Sequence, residues 1–183
     1  MKTNALLVSL ISFSIAAMAQ ENMFTLSGGY AFANIEEVDT DATGWRINAL
    51  YEFNPSGGKL AHGLSVGYIG TSADYTVLTA PVEYKLNSVP IYYAPKFMFG
   101  SESIKGFVKG ALGAQFSSIK RTGTASEVKD NDLGFYGGAS AGVMKTLGEK
   151  MFINAEYEWA YLSNSFYKDG FMNSVMLGIG MRF

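Results

Sequence analysis

The sequence contains no cysteine, only four prolines and one histidine, and charged residues make up only 16% of its 183 positions. The absence of cysteine excludes disulfide bonds, thiolate metal sites, cysteine nucleophiles and lipid attachment through a cysteine. Ordinary soluble domains carry about 25% charged residues, so this composition is unusually uncharged. A net charge of −2 provides no basic surface for phosphate backbones, and we therefore expect no nucleic-acid partner.

Aromatic residues and glycine are abundant instead. Aromatic residues make up 14% of the chain, hydrophobic residues make up 48%, and there are 21 glycines. A disordered chain would lack these apolar and aromatic residues, so we expect an ordered fold. No segment after the N-terminus reaches the ~18 consecutive apolar residues that predict a membrane-spanning helix.

The first 19 residues have the organisation of a secretory signal peptide. Lys2 gives a positive start, residues 5–17 are largely apolar, and residues 17–19 (AMA) match the small-x-small pattern of a cleavage site. The apolar stretch is shorter than the ~20 residues that a membrane anchor needs. We therefore predict that residues 1–19 are cleaved on export and that residues 20–183 form one mature domain.

The mature chain alternates between bulky and small or polar side chains. This period of two places successive side chains on opposite faces of a β-strand. Residues 151–162 and 171–183 show the pattern, and residues 43–53 do so with one face made of Trp45, Ile47, Ala49, Tyr51 and Phe53. We count eight such segments: about 23–34, 43–53, 60–73, 86–99, 104–118, 132–146, 151–162 and 171–183.

The connections between these segments differ in length in a regular way. Short turns follow the second, fourth and sixth segments, whereas longer polar stretches follow the others: 35–42, 74–85, 119–131 and 163–170. In an up-and-down meander, alternate connections lie at opposite ends. Tight turns at one end and long loops at the other are typical of outer-membrane barrels.

Two all-β architectures compete, and the bulky face decides between them. A soluble barrel has an apolar interior, whereas a membrane barrel has an apolar, aromatic exterior and a small or polar interior. Gly138, Ser140 and Gly142 lie at alternate positions on the small or polar face of their segment, and the bulky side chains lie on the opposite face. The residues that suit an aromatic girdle at the membrane interface are Trp45, Tyr157, Trp159 and Tyr161. The sequence therefore predicts an all-β, eight-stranded antiparallel up-and-down transmembrane β-barrel.

The signal peptide, the eight segments and the final strand together resemble the OmpA/OmpX-like group of outer-membrane barrels. The resemblance covers nearly all of the mature chain and implies an outer-membrane location. In that family, the barrel-assembly machinery reads a C-terminal phenylalanine and the alternate apolar residues before it. The matching positions are Leu177, Ile179, Met181 and Phe183.

Pro90 and Pro95 lie within the fourth segment. Proline has no N–H to donate to a neighbouring strand, and a closed barrel has no free edge to hold it. We therefore expect a bulge near one of them, or a strand end beyond the bilayer.

A set of charged residues falls on the inward parity. Such a set could form an ion path or gate, or it could fill and neutralise a narrow lumen. Eight strands leave little room for water, so we favour the filled lumen. The predicted interior network consists of Arg46, Glu52, Lys96, Lys105, Lys109, Glu156, Glu158 and Arg182.

His62 is the only histidine, and its parity places it outward near the short-turn end. Lipid-modifying barrel enzymes pair a histidine with a serine, but Ser65 falls on the opposite face of the same strand. We therefore expect no catalytic residue, no enzymatic activity and no cofactor.

Acidic residues gather in the first long connection, at Glu36, Glu37, Asp39 and Asp41, and again at 130–132. They could bind Ca²⁺ or bridge lipopolysaccharide through divalent ions, or they could form a solvated surface. Neither run has the spacing of a dedicated calcium loop, so we expect a solvated surface and no metal site.

These observations predict a membrane scaffold that presents four outer loops for adhesion, surface protection or envelope integrity. The alternative is a narrow channel or transporter for small solutes or hydrophobic molecules, and the third candidate is a lipid-modifying enzyme. The expected partners are outer-membrane lipids and lipopolysaccharide, the barrel-assembly machinery, and a surface ligand held by the loops.

Overall fold

The computed structural model describes residues 21–35, 40–54, 58–77, 80–123, 128–163 and 167–183. These residues form β1 (Glu21–Ile35), β2 (Thr40–Asn54), β3 (Leu60–Val77), β4 (Ala80–Gly100), β5 (Ile104–Thr122), β6 (Val128–Leu147), β7 (Met151–Leu162) and β8 (Tyr167–Arg182). No described residue belongs to a helix long and apolar enough to cross a membrane. The predicted signal peptide lies outside the described residues and stays a prediction.

Each strand pairs antiparallel with its neighbours in chain order, and β8 pairs with β1. The sheet therefore closes on itself and leaves no unpaired edge. Closure extends to the last residue, because Phe183 N–H donates to the Asn22 carbonyl at 3.0 Å and Asn22 N–H donates to the Phe183 carbonyl at 3.1 Å. The predicted eight-stranded antiparallel up-and-down barrel is confirmed.

Bulky apolar side chains point away from the barrel axis. Leu177 is 68% exposed on β8, whereas Ser174 and Met176 of the same strand have buried side chains. Trp45 and Trp159 also lie outside, each about half exposed. The outward apolar face covers residues 24–32 of β1, 45–53 of β2 and 60–68 of β3. Each span matches the ~9–11 residues that a tilted strand needs to cross a bilayer.

The long polar connections are much shorter than the sequence predicts. Residues 74–77 and 80–85 continue β3 and β4 as a paired ladder, and β5 and β6 likewise extend to 122 and from 128. The loop prediction is wrong here because the outward side chains become polar beyond the bilayer, so these segments lack the bulky outward face that marks a membrane-spanning strand. Their inward side chains stay apolar and buried, among them Val82, Tyr84 and Leu86. We call these extensions the wall: residues 70–77, 80–87, 118–122 and 128–131.

Pro90 and Pro95 lie inside β4, and the predicted bulge or strand end is wrong. The register of β4 is unchanged across both prolines, although its ladder to β3 is interrupted at Pro90 and its ladder to β5 at Pro95. Successive N–H groups of a strand point to opposite neighbours, so each proline removes a donor from a different neighbour. Gly67 and Gly110 stand opposite the two prolines, where a Cβ would lie 3.4 Å from the ring.

The outer end of β8 carries an irregularity. Its register against β1 shifts near Ile35, and Asp169 and Gly170 adopt positive φ angles of 52° and 70°. A Cβ on Gly170 would lie 2.8 Å from the Leu162 carbonyl oxygen, so both the conformation and the space require glycine there.

Two apolar clusters fill parts of the lumen. The turn-end cluster lies beside the short turns and consists of Met23, Ala61, Met98, Phe107, Met144 and Phe152. The outer cluster lies toward the wall and includes Ile35, Leu50, Ile69, Leu86, Tyr92, Tyr136 and Met172. Gly142 and Gly180 lie beside the Phe107 and Phe152 rings, which a Cβ at either glycine would overlap.

Candidate functional site

The charged side chains of the lumen lie between the two apolar clusters. On β4, Lys96 occupies the inward position between Met98 of the turn-end cluster and Ala94 of the outer cluster. Lys109 holds the equivalent position on β5, and Glu156 and Glu158 do so on β7. The alternation of the strands aims all of these side chains at the barrel axis.

Arg46 of β2 is the most highly coordinated member of this layer. Its Nη1 donates to Glu158 Oε1 at 2.7 Å and to Ser174 Oγ at 3.3 Å. Its Nη2 donates to the Tyr136 hydroxyl at 2.9 Å and to the Tyr92 hydroxyl at 3.2 Å. The Tyr136 hydroxyl in turn donates to Glu158 Oε1. A single guanidinium thus joins side chains from β4, β6, β7 and β8.

Two lysines complete the layer. Lys109 Nζ lies 2.5 Å from Glu156 Oε1 and 3.9 Å from Glu158 Oε2, so it joins the Arg46 group. Lys96 Nζ donates to Glu52 Oε2 at 2.7 Å and forms a separate pair nearer the turns. All of these side chains are at least nine-tenths buried.

The layer is neutral in itself, because three cations face three carboxylates. Buried charges need partners, and removing one partner leaves the other charge uncompensated in a medium of low polarity. Among the described residues, these ion pairs therefore hold together strands that face one another across the lumen.

The structure does not bring the other two predicted members into this layer. Lys105 is only half-buried at the turn end of β5. Arg182 lies at the same rim, where its Nε is 3.4 Å from Glu21 Oε1 and its Nη2 donates to Thr146 Oγ1 at 3.3 Å. Solvent reaches this rim, so both residues lie on the inward parity but outside the buried layer.

The layer also contains two tyrosines that are not among the residues predicted for the lumen. The sequence pattern predicts aromatic side chains on the lipid-facing side, but Tyr92 and Tyr136 point inward and stack with ring centroids 4.9 Å apart. Their parity carried the signal, because Tyr92 shares the inward face of β4 with Lys96, and Tyr136 shares that of β6 with Ser140.

The predicted assembly motif lies on the outer surface of β8. Its four side chains all point toward the lipid side, with exposures between 49% and 68%: Leu177, Ile179, Met181 and Phe183. This placement is compatible with reading by another protein before the barrel closes, and the role itself stays a prediction.

His62 faces outward near the turn end, in an aromatic setting. Its Nδ1 lies 2.5 Å from the Tyr93 hydroxyl, and its ring stacks on Phe53 with centroids 5.3 Å apart. Ser65 points into the lumen and donates to Asn48 Oδ1 at 2.9 Å. The two side chains therefore lie on opposite sides of the sheet.

Of the acidic residues in the first connection, only Asp41 is among the described residues. Glu36, Glu37 and Asp39 lie outside them. Residues 130–132 belong to β6 rather than to a loop. Within the described ranges, no three histidine or carboxylate side chains come together in a way that could hold a metal ion.

Comparison with known proteins agrees with this geometry. The family model described as outer membrane protein beta-barrel domain matches residues 5–183. No curated protein sequence matches the chain significantly.

Several solved structures share the fold. Neisserial surface protein A has 15% identity and a TM-score of 0.66, with 88% of this chain and 97% of that chain covered. A major outer membrane protein from Thermus thermophilus has 13% identity and a TM-score of 0.60, with 89% and 99% covered. Ail of Yersinia pestis has 19% identity and a TM-score of 0.57, with 88% and 99% covered.

The family match covers nearly the whole chain, and Neisserial surface protein A and Ail are eight-stranded barrels of outer membranes. The outward apolar face is therefore the face that meets lipid. The chain belongs to the outer-membrane β-barrel domain family and is located in the outer membrane.

Proposed function

We propose that this protein is a structural barrel of the outer membrane that presents its wall to the outside. The observation that carries the proposal is the contrast between a closed lumen and a projecting surface. The six charged side chains of the lumen neutralise one another in three ion pairs, whereas the wall exposes polar side chains on paired strands. Binding residues are found on such exposed segments when a rigid scaffold positions them.

The alternative function is a narrow channel. Buried apolar side chains lie on both sides of the ion layer, with Met98 and Phe107 toward the turns and Tyr92 and Ala111 toward the wall. A solute would have to displace these clusters and separate buried ion pairs, so the geometry favours a closed barrel.

Conductance recording in planar bilayers tests the closed lumen. We expect no discrete, reproducible openings from the wild-type protein. Regular unitary currents from the wild type, absent from a preparation treated to unfold the barrel, would establish the channel instead.

The proposal includes the absence of enzymatic activity. It is supported by His62, which faces lipid against Phe53 and Tyr93, while Ser65 is held by Asn48 on the other side of the sheet. A histidine must lie within hydrogen-bond reach of the hydroxyl that it activates. Incubating the purified barrel with phospholipid or lipopolysaccharide and analysing the products by mass spectrometry tests this part, and we expect unaltered lipids.

The partners follow from the location. We propose that lipids and lipopolysaccharide contact the apolar band and that a surface ligand contacts the wall. We also propose that the assembly machinery recognises four residues of β8 and the C-terminus: Leu177, Ile179, Met181 and Phe183.

Exchanging Phe183 for serine tests recognition by the assembly machinery. Assembly of the Phe183→Ser variant should fall, whereas a Phe135→Ser variant on the same lipid-facing surface should assemble normally.

Shortening the wall tests its role directly. We would replace residues 72–85 and 119–131 with tight turns, confirm assembly by heat-dependent gel mobility, and assay adhesion to cultured cells, survival in serum, and detergent resistance. Loss of adhesion or serum survival with normal detergent resistance would assign the function to the wall. Loss of detergent resistance alone would assign it to the barrel, and the wall proposal would then be wrong.

A further inference from the structure

A cavity lies on the outward face of the barrel at its outer end, where β8, β1 and β2 meet. Its volume is about 480 Å³, which falls within the range of about 300–1,000 Å³ found for small-molecule sites. It lies beside the irregularity of β8, where residues 168–171 stand opposite Asn34 alone in β1. Asp169 and Gly170, with their positive φ angles, carry the extra residues out of the ladder. Such bulges commonly redirect side chains at functional sites.

The lining of this cavity combines aromatic rings with amide, hydroxyl and carboxylate groups. In the row nearer the membrane, Phe32 of β1 lies between Asn173 of β8 and Thr43 of β2. In the next row outward, Asn34 of β1 stands opposite Asp41 of β2. Phe171 and Asp169 complete the lining from the side of β8. An apolar ring therefore lies beside hydrogen-bonding groups in each strand-to-strand contact of the cavity.

Neighbouring side chains hold two of these groups in position. The Phe171 ring stacks on Trp159 with centroids 5.0 Å apart. The Tyr157 hydroxyl donates to Asn173 Oδ1 at 2.7 Å, so the amide of Asn173 presents its N–H groups to other acceptors. A ring and a donor that are already fixed lose little freedom when a ligand binds, and this lowers the cost of binding.

The chemistry of the lining selects a class of ligand. A hexopyranose has an apolar C–H face, which packs on an aromatic ring, and hydroxyl groups that both donate and accept hydrogen bonds. The carboxylates of Asp41 and Asp169 accept from such hydroxyls, and the Asn173 amide donates to them. Lys168 is the cationic residue of the lining and is outnumbered by these two carboxylates. The cavity therefore offers no excess of positive charge to a phosphate or another anion.

The height of the cavity places it among lipid headgroups. The cross-strand row directly below it contains Val175, Tyr30 and Trp45, and both aromatic side chains are about half exposed on the lipid-facing surface. Aromatic side chains of membrane proteins gather at the level where the hydrocarbon meets the headgroups. A cavity one or two rows farther out is therefore level with sugars carried by lipids of the outer leaflet.

From this lining and this height, we propose that the cavity binds a hexopyranose ring, carried by an outer-leaflet glycolipid or by a soluble saccharide. The C–H face of the sugar packs against the aromatic rings, and its hydroxyls bond to Asn34, Asp41 and Asn173. None of the lining residues belongs to the wall, so the proposal does not depend on the surface ligand proposed there. Failure of the shortened-wall experiment would leave it unaffected.

The two tryptophans of the chain provide the measurement, because both flank the cavity. Trp159 stacks on Phe171, and Trp45 follows Thr43 on the same face of β2. We would record their fluorescence from the barrel in phosphatidylcholine vesicles that contain increasing fractions of monoglucosyl or monogalactosyl diacylglycerol. Parallel titrations would add soluble methyl glucoside or methyl galactoside. We expect a saturable change with at least one hexose.

The two forms of the sugar distinguish the two sources. A saturable change with the lipid-linked hexose alone would assign the cavity to glycolipids of the outer leaflet. A change of similar size with the soluble glycoside would assign it to soluble saccharides. Either result supports binding of a hexopyranose ring.

Substitutions of Asp41 provide a matched pair. Asp41→Leu removes the acceptor oxygens and should weaken hexose binding about tenfold, as expected for a lost hydrogen bond to a charged group. Asp41→Asn keeps one acceptor and adds a donor that a hydroxyl can also use, so its affinity should stay within about threefold of wild type. Asp74→Leu removes an exposed carboxylate from the wall and should leave binding unchanged. Heat-dependent gel mobility establishes that each variant is folded.

Three results would overturn the proposal. The first is the absence of a saturable change with all four sugar probes. The second is an equal loss of affinity in Asp41→Asn and Asp41→Leu, which would show that the cavity requires the charge and binds a cation. The third is an equal fluorescence change in vesicles that contain phosphatidylglycerol instead of a glycolipid, which would show a response to lipid headgroups without a sugar.

Discussion

The lumen and the wall both carry ion pairs, but the two regions use them differently. In the lumen, Arg46 and Glu158 are 2.7 Å apart with side chains that are 0% and 1% exposed. On the wall, Lys85 and Glu83 are 2.9 Å apart with side chains that are 53% and 40% exposed. The two ion pairs therefore have similar lengths, but the pair in the lumen is shielded from water, whereas water can compete for each partner of the pair on the wall.

This difference in exposure determines which charged side chains stabilise the barrel and which are available to bind other groups. A buried pair is costly to break because the partner left behind cannot be solvated, whereas an exposed pair is weak because solvent screens it. The charges of the lumen are thus committed to holding the barrel, and those of the wall remain able to exchange partners.

The sharpest way to break this comparison is to neutralise one carboxylate in each region. Glu158→Gln leaves Arg46 and Lys109 with excess buried charge and should reduce the free energy of unfolding by about 3–5 kcal/mol. Glu83→Gln should change it by no more than about 1 kcal/mol. Urea unfolding in lipid vesicles, followed by tryptophan fluorescence, measures both values, and equal losses would contradict the distinction between lumen and wall.

A second test places a new charge on each outer surface. Leu177→Arg puts a cation on the lipid-facing side of β8 and should cost about 2–4 kcal/mol if it lies near the bilayer midplane. Ser72→Arg puts the same side chain on the outward face of the wall and should change stability by less than about 0.5 kcal/mol. Folding yield into vesicles and urea midpoints report the difference, and similar costs would show that the wall is not outside the bilayer.

The smallest expected effect compares two glycines with positive φ angles, Gly170 at the outer end of β8 and Gly148 in the turn between β6 and β7. Gly170→Ala combines a positive φ with a contact to the Leu162 carbonyl and should cost about 2–3 kcal/mol. Gly148→Ala shares the positive φ in an open turn, where a Cβ meets nothing within 4 Å, and should cost about 1 kcal/mol. Thermal or urea unfolding distinguishes them, and a larger loss at Gly148 would refute the steric argument.

The sequence predicts the barrel well because lipid imposes alternation on every membrane-spanning segment. The eight strands, the outward tryptophans and the inward positions of Arg46 and Glu158 all follow from parity. The outward face turns polar beyond the bilayer, which is why the sequence predicts a loop over residues 74–85 although they pair as strand. Their inward side chains Val82 and Tyr84 are buried.

Details of the lumen depend on contacts that parity cannot supply. Parity places Lys105 beside Lys109, but only the register and height of β5 decide that Lys109 reaches Glu156 while Lys105 stays at the rim. The aromatic pattern of the sequence predicts tyrosines at the membrane interface. Only the packing of the lumen shows that the Tyr92 and Tyr136 hydroxyls accept hydrogen bonds from Arg46.

The matching of Pro90 to Gly67 and of Pro95 to Gly110 bears on how the strands find their alignment during folding. A slip of two residues would preserve every side chain's face, so hydrophobicity alone cannot reject it. Such a slip would move the Pro95 ring from Gly110 onto Val108 or Leu112, and the Pro90 ring from Gly67 onto Ser65 or Ile69. In the observed alignment each proline ring therefore lies against a residue without a side chain, and a slip by two residues would put a larger side chain against both rings.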